Sequence, residues 1–443
     1  MLNYIWLGLI LLAVLVGGFF GDVKEVKDVV TGATDGAKTA VTLALGLVGI
    51  MATWLGAMRL AEKAGLVRTL ARGLRPVLCR LFPEVPPDHP AMGSMVMNIA
   101  ANMLGLSNAA TPLGLRAMKD LDSLNRVPGT ASNAMCTFLA INTASVQLVS
   151  ITAVAVLAAA GSTSPTAIIG TAFLATLCAA TAAVTSVKLF EKLPVFRIVP
   201  TADQSAAAQE HAAAQTSGGK TEPVENPEPA PMPTWGPVVV GLFAVCFISF
   251  FVKLAFLGKV EAGAGPLVRS VQTISLLAIP FLLSFLPLYA ALRGIRVYEE
   301  FVEGAKEGFN VALRIIPFLV TMLVAIGMFR GSGGVDLLTK VLRPALDLVQ
   351  FPPELVPMAL MRPLSGSASL AIFSDIVGKF GPDSLLARMA GTIYGSTETT
   401  FYVVAVYFGS VGIKRTRHAV PAGLIADATG IIASVIICRL VFG

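Results

Sequence analysis

Long apolar runs separated by short polar stretches dominate the chain. Nine of these runs approach the ~20 residues that an α-helix needs to cross the hydrocarbon core of a bilayer. They lie at about 1–20, 39–58, 131–160, 166–190, 236–257, 271–292, 309–328, 389–412 and 420–442. The first run lacks a basic start and a small-residue cleavage site, so we expect a retained span there. The pattern predicts an all-α polytopic membrane protein with about nine transmembrane helices.

Two further segments, 91–112 and 356–378, are moderately apolar but carry several polar residues. Polar interruptions at membrane depth are typical of helices that break or re-enter, since their free backbone groups face protein or a water-filled cavity. We expect both segments to be re-entrant or broken.

The segment 196–235 differs from all the others, because it is rich in Ala, Gln, Glu, Pro and Gly and nearly devoid of bulky apolar residues. This composition predicts a disordered linker. We expect a first repeat at 1–195, one extra span at 236–258 and a second repeat at 265–443.

The two halves are related by an internal repeat with a constant offset of 268 residues. Gly36-Ala37-Lys38 recurs as Gly304-Ala305-Lys306, and Leu74-Arg75-Pro76 recurs as Leu342-Arg343-Pro344. Such self-similarity indicates that each half has one structural plan.

Loop charges indicate that the repeats face opposite ways. The loop after Met58 is strongly basic, whereas its counterpart balances basic with acidic residues. In the last loops the bias is reversed, since Gly161 to Pro165 is uncharged and Lys414 to His418 is basic. The positive-inside rule therefore predicts an inverted repeat, with the N-terminus and the linker cytoplasmic and the C-terminus external.

Composition supports a membrane protein and excludes other classes. Of the residues, 55% are hydrophobic and 14% charged, and the mean hydropathy is +0.76. The net charge of +6 falls in loop clusters, so we expect no nucleic-acid partner. The five cysteines and three histidines show no metal-ligand spacing, and no catalytic motif occurs. We expect neither an enzyme nor a bound metal or cofactor.

In the first half, the candidate site consists of amide and hydroxyl side chains, which suit a polar solute or a hard cation. The substrate-binding candidates are Asn98, Asn102, Ser107, Asn108, Thr111, Asn142, Thr143 and Ser145, and Asn133 and Gln147 belong to the same set. The alternative is that these residues hold helices together and cap their ends.

In the second half, four ionisable residues fall within apolar segments, where a charge is costly unless it is paired or faces water. Arg362 is the candidate for a solute carboxylate, and Glu398, Asp375 and Asp427 are candidates for ion coupling by H⁺ or Na⁺. The alternative is an ion pair of Arg362 with Glu398 or Asp375 that only stabilises the fold. The neighbouring substrate-binding candidates are Ser365, Ser367, Ser396, Thr397, Glu398 and Thr399.

Three motifs resemble known families. The run from Gly105 to Met118 (GLSNAATPLGLRAM) resembles the spore maturation protein A family. The run from Arg362 to Ser367 (RPLSGS) and the run from Tyr394 to Val403, with its continuation from Tyr407 to Lys414, resemble the spore maturation protein B family. The chain is thus similar to a fusion of both, which share a nucleoside recognition or gate domain with concentrative nucleoside transporters. The resemblance implies a transporter-like core.

These observations favour a secondary transporter or exporter of a small carboxylate-bearing or zwitterionic solute, coupled to H⁺ or Na⁺, in the bacterial inner membrane. Its partners are then the lipid bilayer and a small solute, and a homo-oligomer is left open. Two alternatives remain, a nucleoside transporter and a non-transporting membrane scaffold or regulator related to spore maturation.

Overall fold

A computed structural model describes residues 2–20, 23–196, 231–257, 266–334, 337, 340 and 350–443. Within these residues the regular structure is helical, apart from one isolated bridge between Thr130 and Arg415. The predicted all-α class is therefore confirmed. Most of the predicted linker at 196–235 and the repeated motif at Leu342 to Pro344 lie outside the described residues.

The described part of the first half contains eight helices. They are α1 Leu2–Leu15, α2 Val23–Lys63, α3 Leu66–Leu81, α4 Pro90–Met103, α5 Ser107–Asp122, α6 Asn133–Ala144, α7 Ile151–Ala159 and α8 Ile168–Phe190. A π-helical turn at Val16–Phe20 follows α1, and a 3₁₀ turn at Pro194–Phe196 follows α8.

The described part of the second half contains another eight. They are α9 Gly236–Val252, α10 Pro266–Leu292, α11 Val297–Gly331, α12 Val356–Met361, α13 Gly366–Phe380, α14 Leu385–Ser396, α15 Thr400–Ser410 and α16 Ala419–Phe442. A π-helical turn at Lys253–Leu257 extends α9, and a 3₁₀ turn at Pro353–Leu355 precedes α12.

Six helical stretches in the described residues are long and apolar enough to cross a membrane, so the chain is a multi-pass membrane protein. They are Val26–Lys63, Ile168–Phe190, Gly236–Phe256, Val268–Leu292, Val297–Gly331 and Ala419–Phe442. The first predicted run forms a shorter apolar helical stretch, Trp6–Phe19.

The predicted runs at 131–160 and 389–412 are not continuous helices. The first is divided into α6 and α7 by residues 145–150, and the second into α14 and α15 by residues 397–399. Both interruptions are rich in hydroxyl side chains, which compete with the helical backbone for hydrogen bonds. We call residues 145–150 the first break and residues 397–399 the second break.

The long helices α2 and α11 pack against each other in opposite directions, because residue numbers rise along one as they fall along the other. A Cβ on Gly36 would stand 2.8 Å from the carbonyl carbon of Leu323. A Cβ on Gly304 would stand 2.5 Å from the carbonyl oxygen of Leu55. Gly304 and Leu323 are the residues 268 positions after Gly36 and Leu55. A twofold axis produces each contact twice, the second time with the two partners exchanged. The two repeats are therefore inverted relative to each other.

The predicted re-entrant segment 91–112 forms a helical hairpin. Helices α4 and α5 lie side by side, since Ser94 Oγ donates to Asp120 Oδ2 (2.6 Å) and Asn98 Nδ2 donates to the Ala110 carbonyl (2.7 Å). Gly105 makes the reversal possible, because its φ of 73° is unfavourable for other residues. The segment 356–378 is likewise divided, into α12 and α13.

Candidate functional site

The first and second breaks meet, although they belong to opposite repeats. The Glu398 backbone N–H donates to the Thr143 carbonyl (2.7 Å), and Gln147 Nε2 donates to Glu398 Oε1 (3.3 Å). A Cβ on Gly395 would stand 2.5 Å from Ser150 Oγ, so the chains are in close contact. The contact brings together four helix ends, which carry backbone groups without an intrahelical partner.

Local sequence explains where helices α6 and α14 begin and where α6 ends. Ser132 and Ser384 each cap a helix, because their hydroxyls accept from the N–H of Met135 and Ala387, both at 3.2 Å. Helix α6 ends at Ser145, whose φ of 38° stops the helix. The freed carbonyl groups of Ala144 and Ser145 accept from Thr176 Oγ1 on α8, at 2.9 and 3.2 Å.

Three predicted asparagines share one hydrogen-bonded network with a tyrosine of the other repeat. Asn102 Nδ2 donates to Asn142 Oδ1 (2.9 Å), and Asn98 Nδ2 lies 3.4 Å from Tyr407 Oη. The Tyr407 hydroxyl in turn lies 3.5 Å from Asn142 Oδ1. Tyr407 was not among the predicted site residues, although it begins a stretch of the motif that resembles spore maturation protein B.

Arg362 is buried, with 3% of its surface exposed, and among the described residues it forms no salt bridge with a carboxylate, although Asp427 is near enough to interact with it electrostatically. Its Nη2 donates to the Tyr394 carbonyl (2.9 Å), and Nη1 reaches Thr399 Oγ1 at 3.5 Å. Its guanidinium carbon lies 4.9 Å from the centre of the Tyr394 ring, and its Nε has no acceptor. The ion pair with Glu398 or Asp375 that the sequence left open does not form. A buried guanidinium can donate two parallel hydrogen bonds to a carboxylate.

Asp375 lies away from the breaks. It forms an ion pair with Arg330 at the end of α11. Both residues line a cavity of about 660 Å³, together with Asp28, Asp35 and Lys379. Asp375 is thus separate from the other two predicted ion-coupling residues.

Asp427 and Glu398 are near enough to interact electrostatically. Asp427 lies on α16 with 1% of its surface exposed, and Thr400 Oγ1 donates to its Oδ2 (2.5 Å). Arg362 and Glu398 both act electrostatically on its carboxyl group. Thr400 was missing from the predicted set, although the motif from Tyr394 contains it.

The other predicted residues lie around these groups. Ser145, Thr143, Thr397 and Thr399 are buried at the breaks, and Thr111 is half-buried on α5. Ser396 donates to the Ile393 carbonyl (2.9 Å). Ser365 caps α13, and its hydroxyl lies 3.3 Å from that of Ser367. The side chains of Ser107 and Asn108 lie outside the described part of the structure.

A cavity of about 990 Å³ lies between α3 and α4 and is strongly basic. Arg68, Arg72, Arg75 and Arg293 line it. Its other wall includes Met92, Gly93, Val96 and Met97 of α4. The cavity therefore reaches the helical hairpin that carries Asn98 and Asn102.

Comparisons with known proteins agree with this architecture. The family described as "Gate: Nucleoside recognition" matches residues 44–187 and 312–414. Spore maturation protein B of Bacillus subtilis (strain 168) is 47% identical over 173 residues, which are 39% of this chain and 97% of that protein. Spore maturation protein A of the same strain is 43% identical over 177 residues, 40% of this chain and 89% of that protein. The two relatives match different halves of the chain.

One solved structure aligns along nearly the full length. The YdaH transporter of Alcanivorax borkumensis aligns over 99% of this chain and 97% of its own, with a TM-score of 0.40 and 16% identity. A likeness at this level is too distant to assign a substrate.

Proposed function

Because the chain belongs to the gate-domain family of nucleoside recognition proteins, we propose that it is a membrane transporter of a small carboxylate-bearing solute. The observation that carries the proposal is Arg362, a buried guanidinium that forms no salt bridge in the described structure, beside the contact of the two breaks. A charge at membrane depth is costly unless an opposite charge or water meets it. A solute carboxylate would supply that charge and accept two parallel hydrogen bonds.

The surrounding groups favour a solute that also carries an amino or hydroxyl group. Glu398 is half-buried, and its carboxylate accepts one long hydrogen bond, from Gln147 at 3.3 Å. The amides of Asn102 and Asn142 lie on the neighbouring hairpin and on α6. An ammonium group between Glu398 and these amides would complete the recognition of a zwitterion.

The inverted repeat offers a route to alternating access. The antiparallel pair α2 and α11 lies on the twofold axis between the repeats, so rocking of one repeat against the other would expose the breaks to either side in turn. We place the Arg59 end of α2, where Arg59 pairs with Glu300 (2.7 Å), on the cytoplasmic side of the bacterial inner membrane. The linker then lies inside and the C-terminus outside.

Nucleoside transport is the second candidate, since the matching family bears that description. Stacking on a base would need a free aromatic face. Near the breaks, Tyr394 is covered by Arg362 and by Phe373, whose ring centre is 6.1 Å away. Tyr407 lies against Phe138 at 6.0 Å. These contacts favour a carboxylate solute over a nucleoside.

A ligand screen on the purified full-length protein tests the proposal, because a ligand that binds the native state raises the melting temperature. Amino acids, dipeptides, dicarboxylates and nucleosides are compared at equal concentration. We expect a carboxylate-bearing class to stabilise the wild type, and Arg362→Gln to weaken that effect at least tenfold. Arg388→Gln is the matched control, because Arg388 is half-buried and contacts Ser164 and Phe442 instead of the breaks.

Two outcomes would refute the carboxylate site. Stabilisation by nucleosides alone would favour the second candidate. Stabilisation by none of the four classes would favour a non-transporting membrane protein with a role related to spore maturation, which both relatives are named for.

A further inference from the structure

Three buried oxygen atoms beside the breaks have no hydrogen-bond partner of good geometry in the described structure, although the Thr397 hydroxyl lies near enough to the Asp427 carboxyl group to interact with it. They are Asp427 Oδ1, Thr143 Oγ1 and Thr397 Oγ1. Their residues are 1%, 0% and 2% exposed. Buried polar atoms are nearly always satisfied, so three such atoms on neighbouring elements need an explanation.

Helix α16 brings these atoms together. Gly423, Asp427 and Gly430 follow one another at spacings of four and three residues, which places them on one face of the helix. Thr143 Oγ1 and Thr400 Oγ1 lie 3.4 and 3.2 Å from the position that a Cβ on Gly423 would take.

The other end of this face is closed by the second break. Thr397 Cγ2 lies 2.7 Å from the position of a Cβ on Gly430. The two glycines thus let threonines from both repeats pack against the face of α16 that carries Asp427. The cluster lies where the two breaks meet.

The chemistry of the cluster is that of a site for a hard cation, since all its free atoms are oxygens. Thr400 already donates to Asp427 Oδ2 (2.5 Å), which leaves Oδ1 as the free carboxylate oxygen. A proton on Oδ1 could pair Asp427 with at most one or two neighbouring hydroxyl groups, whereas a hard cation takes carboxylate and several hydroxyl oxygens as ligands at once.

The charge of the cluster indicates a monovalent ion. Asp427 contributes one negative charge, and the threonines are neutral. Within the described residues there is no group of three or more His, Cys, Asp or Glu side chains of the kind that holds a multivalent metal. Freed carbonyl groups at helix breaks are known ligands of Na⁺ in inverted-repeat membrane proteins.

We infer that Asp427, Thr143, Thr397 and Thr400 form a binding site for a dehydrated monovalent cation of the size of Na⁺. The coupling role of this ion rests on the proposed transport function, but its binding does not. Because Arg362 and Glu398 interact electrostatically with Asp427, the bound ion would change the electrostatic potential at the solute site. Each ligand would then favour binding of the other by the same factor.

Thermal unfolding of the full chain in detergent, with no solute present, tests the cation site. NaCl, KCl and choline chloride are compared at constant ionic strength. We expect Na⁺ to raise the melting temperature in a saturable way and choline to have no effect. Asp427→Asn and Thr143→Val should each weaken the apparent Na⁺ affinity at least tenfold.

Thr137→Val is the matched control. Thr137 lies on α6 like Thr143, is fully buried and also has an unpartnered hydroxyl, but it lies just over two turns before the break. We expect this variant to keep the wild-type response to Na⁺. If Asp427→Asn fails to fold, Thr143→Val and Thr137→Val decide the question by themselves.

Equal melting temperatures in the three salts would overturn the cation site. A Na⁺ response that Thr143→Val leaves unchanged would also overturn it. Because the measurement contains no solute, a protein that binds Na⁺ and no carboxylate solute would retain this inference while the proposed function fails.

Discussion

Replacing Gly36 or Gly304 by alanine tests the twofold contact between α2 and α11. A new Cβ would stand 2.8 Å from the Leu323 carbonyl carbon in the first variant and 2.5 Å from the Leu55 carbonyl oxygen in the second. Ordinary contact begins at 3.4 Å. Since the opposing atoms are backbone, the helices must separate by about 1 Å, and such overpacking costs about 1–3 kcal/mol.

The matched control is Gly49→Ala on α2, where a Cβ would meet no atom within 4 Å. There alanine should stabilise the helix by about 1 kcal/mol through its higher propensity. Unfolding in mixed micelles with increasing SDS measures the three variants. We expect Gly36→Ala and Gly304→Ala to be destabilised by similar amounts relative to this control.

The double variant sharpens the test. The two contacts lie about 28 Å apart along α2, at 1.5 Å per residue, so their costs should add. The twofold arrangement would be refuted if only one of the two alanine variants were destabilised, or if both behaved like Gly49→Ala.

Three further predictions concern charge and topology. Glu398→Gln should remove the pH dependence of solute uptake into vesicles, and unchanged, still pH-dependent uptake would exclude a coupling role for Glu398. Ser162 and Thr163 donate hydrogen bonds to Asp383 and lower its pKa to about 2 from an ordinary value of 3.8. The stability that Asp383 contributes is therefore present above its unfolded pKa and lost as the pH falls through about 2. Asp383→Asn should lower the melting temperature at pH 5 and converge with the wild type at pH 2, and a constant difference would contradict this reasoning. A single cysteine introduced at 196–235 should resist a membrane-impermeant thiol reagent added outside cells. Rapid labelling would contradict the proposed orientation.

The inverted plan of the fold could be predicted because it depends on features that the sequence displays directly. The offset between Gly36 and Gly304 and the exchange of basic loops both follow from residue identity and order. Helix length was predicted less well. Helix α2 extends over 41 residues, well beyond the apolar run at 39–58, because its polar beginning also forms helix. Hydropathy detects the part of a helix that suits lipid and is blind to the rest.

The individual contacts of the site could not be predicted from the sequence. Arg362, Glu398 and Asp375 are close enough in sequence to suggest an ion pair, yet α11 supplies Arg330 as the partner of Asp375. Tyr407 contacts Asn98, which is 309 residues away in the sequence, and no local sequence pattern indicates such a contact. The motif that starts at Tyr394 contains the second break, whereas the first break and the partners of both breaks depend on how the repeats cross.

Uptake into proteoliposomes tests the transport function most directly. The solute is the carboxylate compound that gives the largest thermal stabilisation, and wild type, Arg362→Gln and Arg388→Gln are reconstituted at equal density. The proposed function predicts uptake by the wild type above empty liposomes, a loss of at least tenfold for Arg362→Gln, and uptake within twofold of wild type for Arg388→Gln. Equal uptake by the wild type and Arg362→Gln, or no uptake above empty liposomes, would contradict it.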